Sequence, residues 1–215
     1  MTREKKGYPL KMEYEIKLTG LESSLSEAFF DKHISCVVLK PPNSYSMCSV
    51  YYDFPDSFLS KSGISLRFRL QNGNGFINVK KKATGSSGIL CRDEWECPCN
   101  SLSAGLAALK ADEDVKRMLT RDSACSLMPV AAVEFLRTSQ IVLFNGAKIE
   151  ISLDRGFFNN DRENRFAELE TELISGDPGA LEALAAYLTG KYGLYVEHST
   201  KLARALCKRT GSGMN

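Results

Sequence analysis

Met12-Glu13-Tyr14-Glu15-Ile16-Lys17-Leu18 alternates apolar and charged residues along its whole length. In an extended strand, residues two apart share a face, so Glu13, Glu15 and Lys17 stand on one side and Met12, Tyr14, Ile16 and Leu18 on the other. The same period of two marks strands near Ser46–Tyr52, Ile64–Gln71, Phe76–Lys82, Leu90–Cys97, Val130–Leu136, Gln140–Phe144, Lys148–Leu153 and Phe166–Ile174. Turn residues punctuate them at 71–75 and 84–88, and Asn145-Gly146 predicts a two-residue hairpin.

Helical spacing interrupts the strands in four places. Leu21–Lys32 groups Leu21, Leu25, Ala28 and Phe29, and Ser101–Thr120 reads as one longer helix with Ser101 or Ser103 as its cap. Asp177-Pro178 starts another helix, with Leu181, Leu184, Ala185 and Leu188 as its buried stripe, and Ser199 or Thr200 caps a last one through Cys207. Many antiparallel strands with a few helices outside them predict an α+β fold built on a closed barrel. Residues 1–11 read as an N-terminal extension, 12–209 as a single domain and 210–215 as a loose tail.

The charged faces are too uniform for the solvent side of a sheet. Arg67 lies with Arg69, Lys80 with Lys82, Arg92 with Glu94 and Glu96, Glu150 with Ser152 and Asp154, and Glu168 with Glu170 and Glu172. Three glutamates side by side repel one another, and nothing in a solvated sheet requires them. Carboxylates in such a cluster make sense as hard oxygen ligands for Mg²⁺ or Mn²⁺, and paired arginines and lysines as partners of phosphate oxygens. If the apolar faces pack against outer helices, the charged faces line an interior, and a closed sheet with a polar lumen satisfies both. The residues therefore point to a metal-dependent polyphosphate site.

The 215 residues suit one domain, and a formal net charge of +2 gives no bulk support for nucleic-acid binding. The alternation also turns the basic groups inward, away from any groove-tracking stripe. No run of about eighteen apolar residues is present to span a membrane, and Met1–Leu10 is polar and basic with no secretory apolar run behind it. Seven irregularly spaced cysteines, with Cys97-Pro98-Cys99 the one tight pair, read as reduced thiols of a cytoplasmic protein. His33 and His198 have no partners at ligand spacing, and no Ser-His-Asp set or phosphate-binding glycine loop is present.

In order along the chain stand Glu13-x-Glu15-x-Lys17, Tyr51-Tyr52-Asp53-x-Pro55-Asp56, Gly63-Ile64-x-Leu66-Arg67-x-Arg69, Lys80 and Lys82, and Arg92-x-Glu94. Arg137, Ile149-Glu150-x-x-x-Asp154-x-Gly156, Glu168-x-Glu170-x-Glu172-Leu173, and Lys201 with Arg204 follow. This succession, from about Met12 to Leu206, resembles the CYTH, or triphosphate tunnel metalloenzyme, superfamily, and within it the bacterial inorganic triphosphatases. Some members of that branch carry a second, histidine-rich helical domain, and with only two histidines this sequence is expected to be without it.

The resemblance implies an eight-stranded antiparallel tunnel holding a triphosphate along its axis. By matching position, Lys17, Arg67, Arg69, Lys80, Lys82, Arg137, Lys201 and Arg204 would contact phosphate, with Arg92 and Glu94 in support. Glu13, Glu15, Asp154, Glu168, Glu170 and Glu172 would hold one or two metals, and catalysis would rest on Glu13, Glu15, Lys17, Arg67, Arg69 and Glu170. The expected reaction is metal-dependent hydrolysis of tripolyphosphate to diphosphate and phosphate. Thiamine triphosphatase, class IV adenylyl cyclase and a non-catalytic polyphosphate-binding module stay open as alternatives, and so does a homodimer. The expected partner is a small polyanion, with no nucleic acid and no membrane.

Overall fold

A computed structural model describes residues 11–34, 37–82, 89–120 and 126–209. The strands are β1 (Lys11–Thr19), β2 (Val38–Asp53), β3 (Ile64–Gln71), β4 (Asn74–Lys82), β5 (Leu90–Pro98), β6 (Met128–Phe144), β7 (Ala147–Phe158), β8 (Asp161–Ser175) and the short β9 (Tyr195–Val196). The helices are α1 (Glu22–Phe29), α2 (Phe58–Lys61), α3 (Leu102–Leu109), α4 (Glu113–Leu119), α5 (Gly179–Tyr192) and α6 (Lys201–Arg209). The strands run β5-β4-β3-β2-β6-β7-β8-β1, and antiparallel pairing of β1 with β5 closes them into an eight-stranded barrel. Closure leaves the barrel strands without a free sheet edge along their paired lengths.

Opposite charges support the closing strand on both sides. Glu13 faces Arg92 across β1–β5, and Lys17 faces Glu170 across β1–β8. Many outward residues are apolar and buried under helices. α1 and α5 bring Leu25, Phe29, Leu184 and Leu188 into one cluster with Ile16, Leu18, Ile149 and Ile151. On the other side, Leu59 of α2, Leu109 of α3 and Val115 of α4 join Leu66, Ile77, Val79 and Trp95. Helix α6 places Leu202 and Ala205 in a third cluster with Met47, Tyr51 and Phe135.

Three hairpins use left-handed pairs. Asn72-Gly73 (φ 47° and 83°) joins β3 to β4, and Asn145-Gly146 (φ 49° and 77°) joins β6 to β7 as the sequence predicts. Asn159-Asn160 (φ 54° and 60°) turns β7 into β8. Asparagine tolerates this region because its short side chain bonds locally, and Asn159 also accepts from Ala132 N and donates to Ala205 O, tying α6 to the barrel.

Several sequence expectations change. The segments expected as separate strands at 130–136 and 140–144 are one strand, β6. Arg137 and Ser139 break its apolar character but face the interior, so the alternation runs on through them. β2 begins at Val38 despite Pro41-Pro42, with register shifts against β6 that absorb the prolines. The helix expected over 101–120 is two, α3 and α4, because Asp112 closes the first through its backbone bond to Leu109 O and caps the second by accepting from Asp114 N and Val115 N. Ser101 caps α3, Thr200 caps α6, and Asp177 holds Gly179 N while Pro178 stands at the cap of α5. The turn expected at 84–88, the tail at 210–215 and nearly all of the N-terminal extension lie outside the described residues. Among the described residues, no helix is long and apolar enough to cross a membrane.

A Cβ on Gly156 would lie 2.0 Å from Glu134 O, whereas one on Gly190 of α5 meets nothing within 4 Å. Gly156→Ala is expected to destabilise by about 1–3 kcal/mol through overpacking. Gly190→Ala is expected to stabilise by about 0.5–1 kcal/mol through helix propensity. Urea unfolding of the two variants checks both signs.

Candidate functional site

The barrel encloses a cavity of about 380 Å³ whose wall is mostly charged. Alternation delivers Glu13, Glu15 and Lys17 from β1, Arg67 and Arg69 from β3, Lys80 from β4, Arg92 from β5, Arg137 from β6 and Glu170 and Glu172 from β8. Lys201 enters from the first turn of α6. Asp154 and Glu168 are fully buried and join the wall through Lys201. Arg204, one turn further along α6, pairs with Glu168 and stands 3.9 Å from Glu197. Lys82 is the site residue that the structure sets apart. It is exposed at the end of β4 and borders a neighbouring cavity of about 400 Å³ instead of the tunnel.

Glu94, Glu96, Glu150, Asn78, Ser139, Lys11 and Lys40 also line the tunnel, although sequence reasoning gave them no principal role. The period of two places the first five on inward faces. Lys40 was hidden by Pro41-Pro42, which made its segment look unlike a strand. His33 packs its ring 4.9 Å from that of Tyr187, and His198 borders the neighbouring cavity.

Two charge networks organise the wall. In the first, Lys80 Nζ donates to both oxygens of Glu13 at 2.6 and 2.7 Å, and Arg92 donates to Glu15 at 2.8 Å. Lys17 bridges Glu15, at 2.7 Å, to Glu170. In the second, Arg137 holds Asp154 with two parallel bonds at 2.8 and 2.7 Å and reaches Glu170 as well. Lys201 Nζ stands 2.7 Å from Asp154 and 2.9 Å from Glu170, and also bonds Glu168.

These neighbours set the ionisation of the buried carboxyls. Burial opposes the charge on Glu15, but Lys17 and Arg92 outweigh it together and hold the group at about 2. Burial likewise opposes Glu170, which Lys17, Lys201 and Arg137 hold well below the usual carboxylate range. Glu13 goes the other way. Burial, helped by the charges of Glu15 and Glu94, raises it despite Lys80. On the basic wall, burial and the adjacent Arg67 push the Arg69 guanidinium down to about 10.

Oxygen atoms of Asp154, Glu168 and Glu170 lie within 4.8 Å of one another, close enough to share one cation. Every ligand atom offered is a carboxylate oxygen, which suits a hard divalent ion. In the structure the Lys201 ammonium compensates this triad.

Arg67 differs from its neighbours. It lines the cavity, and among the described residues it makes no ion pair, while its buried Nε has no hydrogen-bond partner. Burial opposes its charge, but Tyr51, Glu96 and Glu94 nearby outweigh burial, so the group stays a cation whose donors suit an anion's oxygens.

Comparison with known proteins places these features in context. The CYTH domain profile matches residues 11–206. An inorganic triphosphatase of Haemophilus influenzae is 28% identical over 161 residues, covering 73% of this chain and 44% of that protein. The chain thus spans less than half the length of this relative. A protein from Hippeastrum, classed with adenylyl cyclases and described as having a dominant triphosphatase activity, superposes with a TM-score of 0.62 at 17% identity. The superposition covers 93% of this chain and 96% of that one. The PH1819 protein of Pyrococcus horikoshii superposes with a TM-score of 0.60 at 22% identity, covering 92% and 99%. At these identities the two structures show a shared fold.

Glu15 and Glu170 have folded-state values below the unfolded 4.5, so their stabilisation is present above about pH 4.5 and is lost as pH falls toward the folded values. Thermal melts between pH 6 and 3 are expected to show Tm falling steadily below about pH 4.5. Lys201→Met leaves three buried carboxylates without their shared cation and is expected to cost about 3–5 kcal/mol. Added Mn²⁺ is expected to raise the Tm of that variant more than that of the unsubstituted protein.

Proposed function

Because the chain belongs to the CYTH family, whose domain it matches from residue 11 to residue 206, we propose that its tunnel hydrolyses a linear triphosphate. Inorganic triphosphate is the substrate this reading takes, with diphosphate and phosphate as products. The observation that carries it is Arg67, a half-buried guanidinium lining the tunnel that makes no ion pair among the described residues and whose buried Nε has no hydrogen-bond partner there. The Haemophilus influenzae relative, an inorganic triphosphatase, supports the same substrate.

Arg67, Arg69 and Arg137 line the cavity with planar donors that match phosphate oxygens in pairs, and Lys17, Lys80 and Lys201 add point charges around them. These groups would align the chain of phosphates and stabilise the terminal oxygens as charge shifts between them. Glu13, Glu15, Asp154, Glu168, Glu170 and Glu172 are the residues that would hold Mg²⁺ or Mn²⁺. When bound there, such an ion supplies charge neutralisation that lowers the barrier to phosphoryl transfer. In-line attack needs a water on the far side of the terminal phosphorus from the leaving diphosphate. Carboxylates of the acidic wall would orient that water, and Glu13, raised by its burial, is better suited than Glu15 to accept its proton. Thiols at Cys48, Cys91 and Cys99 suit a reducing compartment such as the cytoplasm.

One observation favours a second reading. The neighbouring cavity of about 400 Å³ shares Lys80 and Arg92 with the tunnel and is lined by Ile64, Leu90, Leu202 and Leu206. An apolar space beside the phosphate channel would accept the organic part of thiamine triphosphate or of a nucleoside triphosphate, including a cyclase substrate.

Purified protein is expected to release phosphate from tripolyphosphate only with Mg²⁺ or Mn²⁺ present. Arg67→Gln and Glu170→Gln are each expected to lower kcat/KM by about 100-fold or more, the scale of removing one preorganised charge contact. A product screen across tripolyphosphate, thiamine triphosphate and nucleoside triphosphates decides the substrate. Faster turnover of an organic triphosphate selects the second reading, and tight binding without any turnover selects a non-catalytic polyphosphate-binding module.

A further inference from the structure

Ser49 on β2 is completely buried, and its hydroxyl has no hydrogen-bond partner among the described residues. Met47 and Tyr51, two residues to either side, line the tunnel, so the strand alternation puts Ser49 on the same inward face. Its cross-strand neighbour on β6 is Val133, which offers no polar side chain. Its neighbour on β3 is Arg69, which also lines the tunnel and whose Nε is buried without a partner.

Among the described residues Ser49 Oγ is the one orphaned buried hydroxyl, and it stands directly opposite Arg69, one of five arginines whose buried Nε also lacks a hydrogen-bond partner. Buried polar groups are nearly always satisfied, and an exception calls for a reason. Alanine would fill the space of Ser49 without leaving a hydroxyl unpaired, so packing gives no reason for serine here. Side chains directly opposite on antiparallel strands have their Cβ atoms about 4.5–5.5 Å apart, which brings a serine hydroxyl within reach of an arginine Nε folded over it. Arg69 now points elsewhere. One of its Nη atoms reaches Glu96 at 3.2 Å, and its guanidinium lies 5.3 Å from the Phe76 ring centroid.

We infer that Ser49 is a positioning residue for Arg69. When a triphosphate enters the tunnel, the guanidinium leaves Glu96 and donates from Nε to Ser49 Oγ, which leaves both Nη groups free for phosphate oxygens. The anchored fork loses less freedom for each phosphate bond it makes. The inference rests on the reading of the tunnel as a triphosphate site. It adds to that reading a residue that carries no charge and sits outside every motif quoted from the sequence.

Four proteins test it: the unsubstituted chain, Ser49→Ala, Arg69→Met and the double variant. Each is measured for kcat/KM on tripolyphosphate at saturating Mg²⁺ and for the Tm of the free protein. Ser49→Ala is expected to keep or raise Tm, because it removes an unpaired buried hydroxyl, and to lower kcat/KM about tenfold. In the Arg69→Met background the same change is expected to have no further effect, because Nε is gone. A Ser49→Ala protein with kcat/KM within twofold of the unsubstituted chain overturns the inference. So does an equal loss in the Arg69→Met background, or a fall in Tm that accounts for the loss. An unsubstituted chain that is inert toward tripolyphosphate overturns instead the reading on which the inference rests, and the inference with it.

Discussion

The barrel depends on pairing charges inside a closed wall. Glu13, Glu15, Lys17, Asp154, Glu168, Glu170 and Lys201 are all buried, and each would oppose folding if left alone. Other strands and helix α6 supply opposite charges across the lumen, so Lys80 and Arg92 answer Glu13 and Glu15 while Arg137 and Lys201 answer Asp154 and Glu170. The strand order is therefore under electrostatic as well as hydrophobic control. A one-residue slip of β1 would turn Ile16 and Leu18 into the lumen and its charges into the apolar clusters beneath α1 and α5.

On the proposed reading, the same constraint prepares the tunnel for an anionic guest. Most of its cations are already compensated, which keeps the free protein stable, while Arg67 has no ion pair among the described residues and Ser49 and Arg69 keep orphaned groups. Helix α6 links this wall to the end of the chain. Its Lys201 joins the acidic triad while Leu202, the next residue, packs with Tyr51 and Phe135.

Much of this was legible in the sequence because a strand has a period of two that charges cannot hide. Glu13, Glu15 and Lys17 reach the lumen as their spacing requires, and Asn145-Gly146 makes the hairpin its residue types predict. What escaped depended on partners distant in the chain. Arg137 and Ser139 looked like an interruption of β6 until the barrel gave them a polar interior, and Asp112 divided a helix that apolar spacing had joined. Lys82 shares a face with Lys80 in the sequence, yet it lies past the end of the tunnel, where spacing alone has no measure of depth. Ser49 gave no signal at all, since a single serine in a strand acquires meaning only from Arg69 across the register.

The central claim is that the barrel interior is a triphosphate site with Arg67 waiting for its anion. A crystal structure of the protein soaked in tripolyphosphate tests this most directly. The account predicts three linked phosphates along the tunnel axis, with oxygens within hydrogen-bond distance of Arg67 and Arg69 between the acidic and basic walls. Tripolyphosphate bound only outside the barrel, with Arg67 still unpaired, would contradict it.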